Sequence, residues 1–205
     1  MLTLVIQAGG ESRRMGADKA LLPFLGRPLI LRPLNRLAGL ADEVLVTSNA
    51  PENYRFLGIT PIPDLLPGHG ALSGLYTALS AAGHPYVAVV ACDMPFASLE
   101  LFAVELVLLR ETDADAVIPR SEAGTEPFHA VYRRETCLPH IRAAIEAGKR
   151  RVDAWFPQVF IRYLEPAEII TYDPTQHAFL NINTPEELME AEEIAMKGNA
   201  RDHSG

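Results

Sequence analysis

Cysteine is scarce in this 205-residue chain, which holds only Cys92 and Cys137. Two thiols make neither a disulfide framework nor, by themselves, a four-ligand zinc site, and they read as reduced core residues. Long apolar runs are missing as well. The longest, Tyr86 to Cys92, has seven residues, against roughly 20 for a helix that crosses a bilayer. Positive charge is in deficit: 18 Lys plus Arg stand against 26 Asp plus Glu, a net charge of -8. No global positive field gathers nucleic acid or an anionic membrane, so any polyanion must be held by a local site. The opening Met1-Leu2-Thr3-Leu4-Val5-Ile6-Gln7 carries no basic stretch and runs into glycines rather than a leader-cleavage site. The expectation is a cytoplasmic protein with neither a nucleic acid nor a membrane as partner. Repeats and low-complexity linkers are also absent, and the 14 Gly and 16 Pro are spread along the chain. One domain over residues 1–196 is expected, followed by a disordered polar tail over 197–205.

What is present is ordinary globular composition, 48% hydrophobic and 21% charged, which excludes disorder for the bulk of the chain. Apolar runs of strand length alternate with helix-period segments. Leu2–Gln7, Val44–Thr47, Tyr86–Ala91 and Ala116–Pro119 are the candidate strands, and their continuous apolarity suggests cover on both sides. Leu72, Leu75, Leu79 and Ala82 keep helical spacing, with Gly83 placed to close the helix in a left-handed cap. Leu99, Phe102, Leu106 and Leu109 do the same behind a capping Ser98. Ile141 and Ile145 form a shorter stripe that ends at Gly148. Thr184-Pro185-Glu186-Glu187 reads as N-cap, N1 proline and capping-box glutamate of a last helix to about Met196. The fold class expected is α/β: one Rossmann-like, three-layer sandwich around a mostly parallel sheet.

The strongest chemical signal follows the first strand: Gln7-Ala8-Gly9-Gly10-Glu11-Ser12-Arg13-Arg14-Met15-Gly16-Ala17-Asp18-Lys19. Adjacent glycines bring backbone N–H groups close to phosphate oxygens, and Arg13, Arg14 and Lys19 supply the neutralising charge. The spacing matches neither the dinucleotide-binding G-x-G-x-x-G nor the P-loop G-x-x-x-x-G-K-[ST]. The bland reading is a corner turn with solvated arginines.

This stretch resembles the signature of the molybdenum cofactor guanylyltransferases, nucleotidyltransferases that join GMP to molybdopterin. Family-like features recur in order at Asp64, at Gly70-Ala71-Leu72-Ser73-Gly74, at Ala91-Cys92-Asp93-Met94-Pro95 and at Asn181-Ile182-Asn183-Thr184-Pro185-Glu186-Glu187-Leu188, over roughly residues 2 to 196. Two departures are visible. Gln7 stands where leucine is usual, and Ala71 and Ser73 stand where Pro and Ala are common. Gly9-Gly10, rather than an Ala-Gly pair, is closer to the guanylyl than to the cytidylyl enzymes.

The resemblance implies transfer of GMP from GTP to molybdopterin with release of pyrophosphate. Related alternatives are a molybdopterin cytidylyltransferase or a sugar-1-phosphate nucleotidyltransferase; outside the enzymes, a nucleotide-binding module that delivers cofactor. It implies Lys19, Arg13 and Asp93 as catalytic groups, and a GTP site of Gln7, Ala8, Gly9, Gly10, Arg14, Lys19, Asn49, Asp64, Gly74 and Asp93. Asp93, just past the strand Tyr86–Ala91, lies where open α/β sheets bind ligands. One carboxylate with phosphate oxygens and waters suits Mg²⁺; alternatively Asp93 caps the turn before Met94-Pro95. Asp64 accepts from guanine or ribose, or is an ordinary loop aspartate, and Thr47 competes with Asn49. Asn181 and Asn183, two apart on one face of an extended segment, go to the pterin side, or else bond the turn into the last helix. Gly68, Gly70 and Gly74 let a loop close over the nucleotide, whereas His69 reads as an exposed loop residue. Arg120 and the segment Glu126-Pro127-Phe128-His129-Ala130 fall where the second substrate is expected to dock, and the cluster Lys149-Arg150-Arg151 reads equally as a site for its phosphate or as a solvated helix end. Cofactor-delivery proteins or molybdoenzymes are further partners to expect, and a monomer is the expected state, with an oligomer open.

Overall fold

The computed structural model describes residues 1–8 and 18–202, with side chains as far as Gly198 in the last helix. In chain order the elements are β1 (Leu2–Gln7), β2 (Pro23–Phe24), β3 (Arg27–Pro28), α1 (Leu31–Leu37), β4 (Glu43–Thr47), α2 (Ala71–Ala81), β5 (Tyr86–Ala91) and α3 (Leu99–Glu111). Then come β6 (Ala116–Ser121), β7 (Gly124–Thr125), β8 (His129–Arg133), α4 (Arg134–Glu146), β9 (Ile161–Leu164), α5 (Pro166–Tyr172) and α6 (Pro185–Asp202). The main sheet has seven strands in the order β4-β1-β5-β8-β6-β7, with β9 beside β6. β1 runs parallel to β4 and β5, β6 runs parallel to β9, and β8 is inserted antiparallel between β5 and β6. The sheet is therefore mixed and mostly parallel, as the α/β pattern implies.

Every residue of β1 is buried because both faces of the strand are covered. Leu2, Leu4 and Ile6 join Val46, Val90 and Phe102 on the face under α1 and α3. Val5 points the other way, into a second core with Leu72, Leu75 and Leu79 of α2, Tyr132 of β8 and Ile141 of α4. The helix spacing of those leucines is thus the α2 contact stripe. Register then sets the working edge: Gln7 is level with both Thr47 and Ala91, so three strands end together and release their loops at one height.

Three boundaries differ from the sequence reading. Ala82 leaves α2 in extended conformation, and Gly83 is no left-handed cap. Its N–H donates to the Glu43 carboxylate at 2.8 Å, and a Cβ there would stand 3.1 Å from that group, so a larger residue would have to push the carboxylate aside. α4 starts at Arg134, well before the Ile141 stripe, and Gly148 follows it in the left-handed region at φ 74°. α6 continues past Met196 into the expected tail as far as Asp202: Lys197 meets Glu193 one turn back at 3.4 Å, and Gly198 alone costs a helix only about 1 kcal/mol. Among the described residues, no helix is long and apolar enough to cross a membrane.

Candidate active site

At the edge where β1, β4 and β5 end, the ladders run one residue further: Ala8 N–H donates to Thr47 and Cys92 N–H to Gln7, each at 2.9 Å. Asp93 is the next residue and opens into a cleft of about 1550 Å³. Lys19 reaches it from a 3-10 turn over Lys19–Leu21, whose start Asp18 caps by accepting from Ala20 N–H at 3.1 Å. The second Asp18 oxygen accepts from the Tyr54 hydroxyl at 2.6 Å, and burial beside that carboxylate pushes the Tyr54 phenol up. The Lys19 ammonium lies 3.3 Å from Asp93 and donates to Asn183 Oδ1 at 2.7 Å. Lys19 and Asp93 side chains are each 18% exposed, so the pair is withdrawn from water yet open to a ligand.

The helix cap of α6 holds Asn183 in place. Ile182 N–H donates to the Asp93 carbonyl at 3.0 Å, and one Glu187 oxygen accepts from the N–H groups of both Asn183 and Thr184. The Thr184 hydroxyl oxygen in turn accepts from Glu187 N–H at 3.1 Å. The capping box read from the sequence is present, and it fixes a side chain on Lys19. Asn181 lines the cleft but donates to Phe179; Ile182 between the two is buried on the opposite side with Phe24 and Leu29.

On the other flank, residues around Ile62 dock on β4, where Ser48 N–H donates to the Ile62 carbonyl and Ile62 N–H to the Val46 carbonyl, each at 2.9 Å. That brings Asp64 to Asn49, whose amide donates to the carboxylate at 3.0 Å and accepts from Asp64 N–H at 2.9 Å. Thr47 is only 2% exposed, so Asn49 rather than Thr47 presents a side chain to the cleft. Gly68 and Gly70 take φ of 92° and 61°, and Arg150 donates to the Gly68 carbonyl at 2.7 Å. α2 then starts at the cleft with no side-chain cap, leaving its first N–H groups open to an anion. Gly74 in its first turn leaves room for the Gln7 carboxamide, which a Cβ would meet at 3.3 Å.

Of the residues singled out in the sequence, Gln7, Ala8, Lys19, Asn49, Asp64, Gly74, Asp93 and Asn181 line one cleft, and Asn183 joins through Lys19. Gly9, Gly10, Arg13 and Arg14 lie outside the described residues. Arg120 is not in the cleft: it stacks on Tyr163 at 4.0 Å and pairs with Glu165 at 2.9 Å. His69 lines a separate hollow with Tyr76 and Arg142. Of the basic cluster only Arg150 reaches the cleft, Arg151 being paired with Asp153. Sequence reasoning gave no role to Asp18 or Tyr54; the one available signal was an aspartate immediately before Lys19, in capping position. Cys92 is no nucleophile, since burial and the nearby Asp93 push its thiol well up.

Among the described residues no three His, Cys, Asp or Glu side chains cluster as a metal cage. The carboxylate at the end of β5, Asp93, does fit an ion that takes its remaining ligands from phosphates and water.

Residues 4–159 match the family model described as MobA-like NTP transferase domain. The probable molybdenum cofactor guanylyltransferase of Pelotomaculum thermopropionicum is 36% identical over 94% of this chain and 93% of its own length. The molybdenum cofactor guanylyltransferase of Desulfosudis oleivorans is 33% identical over 96% and 97%. Among solved structures, molybdopterin-guanine dinucleotide biosynthesis protein A from Archaeoglobus fulgidus superposes with a TM-score of 0.83 at 27% identity, over 95% of this chain and 99% of that one.

Proposed function

The chain belongs to the MobA-like NTP transferase family, and from that membership we propose that it transfers GMP from GTP to molybdopterin or its molybdenum form, releasing pyrophosphate. The observation that carries the chemistry is Lys19 held between Asp93 and Asn183 in mid-cleft, with Asn49 and Asp64 on one flank and Thr125 to Phe128 on the other. A cleft of 1550 Å³ exceeds the roughly 300–1,000 Å³ of a single small-molecule site and leaves room for two substrates at once.

The reaction is an in-line displacement. A phosphate oxygen of the acceptor forms a bond to the α-phosphorus of GTP while the bond from that phosphorus to the β-bridging oxygen breaks, and the electron pair leaves with pyrophosphate. The attacking oxygen is already anionic near neutral pH, so the protein needs no nucleophile of its own; its task is position and charge. Lys19 neutralises the phosphates, Arg13 and Arg14 add charge, and the backbone N–H groups of Gly9, Gly10 and the start of α2 are the donors this reading assigns to phosphate oxygens. Asp64, fixed by Asn49, offers two acceptors to the N1–H and 2-amino groups of guanine. Mg²⁺ is the cofactor of this reading, held by Asp93, and when bound it supplies charge neutralisation at the phosphates.

The test is mass spectrometry of the product after incubating the protein with Mg²⁺, molybdopterin and an equimolar mixture of the four ribonucleoside triphosphates. A guanine dinucleotide with equivalent pyrophosphate is the expected outcome; a cytosine product, or no dinucleotide from folded protein, refutes it. Lys19→Ala should lower kcat by an amount equivalent to about 2.7–4 kcal/mol, by comparison with removal of one oxyanion donor. Full turnover in that variant would remove Lys19 from the mechanism.

A further inference from the structure

The cleft wall opposite Asp64 is used by none of these steps, yet it is tied down residue by residue. Thr125 pairs with Arg120 across the β6–β7 ladder. Glu126 N–H donates to Pro119 at 2.9 Å, and its carbonyl accepts from His129 N–H at 3.0 Å. The Tyr132 hydroxyl donates to the Pro127 carbonyl at 2.6 Å, and Ala91 N–H donates to that of Phe128 at 3.0 Å. Such a wall is pre-organised, as a binding surface is and a passive loop need not be.

Two residues of this wall that line the cleft and stay partly exposed carry chemistry a ring can use: Glu126, and Phe128, whose other contacts are with the second core. Glu126 Oε1 accepts from the Ser121 hydroxyl at 2.6 Å. Among the described residues no cation pairs with this carboxyl and nothing bonds its second oxygen. It is also partly withdrawn from water, which pushes its pKa up against the Ser121 bond. The second oxygen is not sealed in the protein, so it keeps acceptor capacity for a ligand that displaces water. An aromatic face beside a carboxyl with free acceptor capacity suits a flat heterocycle that carries two adjacent N–H donors on one edge.

The 2-amino-4-oxopyrimidine ring has that edge, with a ring N–H beside an amino group, and it is common to guanine and pterin. The cleft holds a carboxylate for it at either end. Asp64 stands beyond β4, about three strand spacings of roughly 4.8 Å from the end of β5, where Asp93 sits. Glu126 stands on the other side of β5, just before β8 and next to β6. We infer that Glu126 and Phe128 form the subsite that reads the acceptor's pterin, Phe128 stacking on the ring while Glu126 accepts from N3–H and the 2-amino group. The identity of the acceptor rests on the proposed function; the ring chemistry rests on Glu126 and Phe128 alone.

The test compares wild-type protein with Glu126→Gln, which keeps the shape and the acceptor for Ser121 but replaces one of the two acceptors by a donor. In steady state the variant should raise the KM for molybdopterin on the order of tenfold to a hundredfold, with the KM for GTP unchanged. A second measurement needs no turnover: fluorescence titration of free pterin and of lumazine, which has a carbonyl in place of the 2-amino group, with α,β-methylene GTP present. Wild-type protein should prefer pterin by about tenfold, and Glu126→Gln should not discriminate. Equal affinity of wild-type protein for the two rings, or an unchanged molybdopterin KM in folded Glu126→Gln, overturns the inference. If wild-type protein forms no dinucleotide, the proposed reaction falls, and the pterin preference still decides this subsite. Should the variant melt early, the wild-type comparison of the two rings carries the decision.

Discussion

Glu105 and His129 are fully buried, yet the pair is not an ion pair. His129 Nε2 accepts from Ser98 N–H at 3.1 Å, which puts the ring proton on Nδ1, facing Glu105 Oε1 at 3.2 Å. Burial pushes the imidazole down to about 3 and the Glu105 carboxyl well above its ordinary range, so burial favours the neutral form of each. The Glu105 proton is lost first from the unfolded chain. Its stabilising contribution is complete below the ordinary value of 4.5 and declines as pH rises toward the folded value. Glu105→Gln removes that dependence while keeping the shape and the acceptor for His129. Its melting temperature should match that of the wild type near pH 4.5 and exceed it by a margin that widens as pH rises above that value. Thermal melts across that range check this, and a constant gap would show that Glu105 is not held protonated. This pair also shows what one residue at a time conceals: the sequence placed His129 in a segment expected to meet the second substrate, whereas its side chain is buried against a partner 24 positions away.

At the scale of elements, legibility followed how locally each one is determined. β5, buried on both faces, was readable to its boundaries as Tyr86–Ala91, and the Thr184–Glu187 cap was readable because its bonds span three residues. β8 was missed, since its run begins with His129 and ends with Arg133 and only tertiary partners make those residues strand-compatible. β9 and the β2–β3 pair are too short to announce themselves. The same cap shows how an element serves the site, because the Glu187 oxygen that closes α6 also holds the backbone of Asn183. Thr184→Ala should cost about 1 kcal/mol of stability. It should also lower kcat/KM, since Asn183 loses register on Lys19. Chemical denaturation alongside steady-state kinetics measures both. A stability loss with kinetics unchanged would make the cap structural only.

For the whole molecule, an acidic chain that handles polyanions must concentrate its cations, and the fold does this by register rather than by sequence proximity. Gln7, Thr47 and Ala91 end level, and from that line the chain brings together Lys19, Asp93 and Asn183, which are 74 and 164 positions from Lys19. The sequence reading gave Lys19 and Asp93 to phosphate chemistry and Asn183 to the pterin side. It could not pair them, because the pairing exists only once β1 lies between β4 and β5. Arg150 was equally opaque, standing in a basic run whose members the fold sends to different neighbours. A ligand in this cleft therefore cross-links segments from both ends of the chain, and its binding energy appears as global stability. GTP at a hundredfold excess over its Kd should add about 2.7 kcal/mol, with a larger melting shift when Mg²⁺ is present. In Asp93→Asn the GTP shift should persist in reduced form, since Lys19, Asp64 and the α2 terminus remain, while its Mg²⁺-dependent increment disappears. Scanning calorimetry of both proteins with GTP, with and without Mg²⁺, separates the two contributions. An increment that survives in the variant would mean the ion is held by phosphate oxygens alone, leaving Asp93 only the task of fixing Lys19.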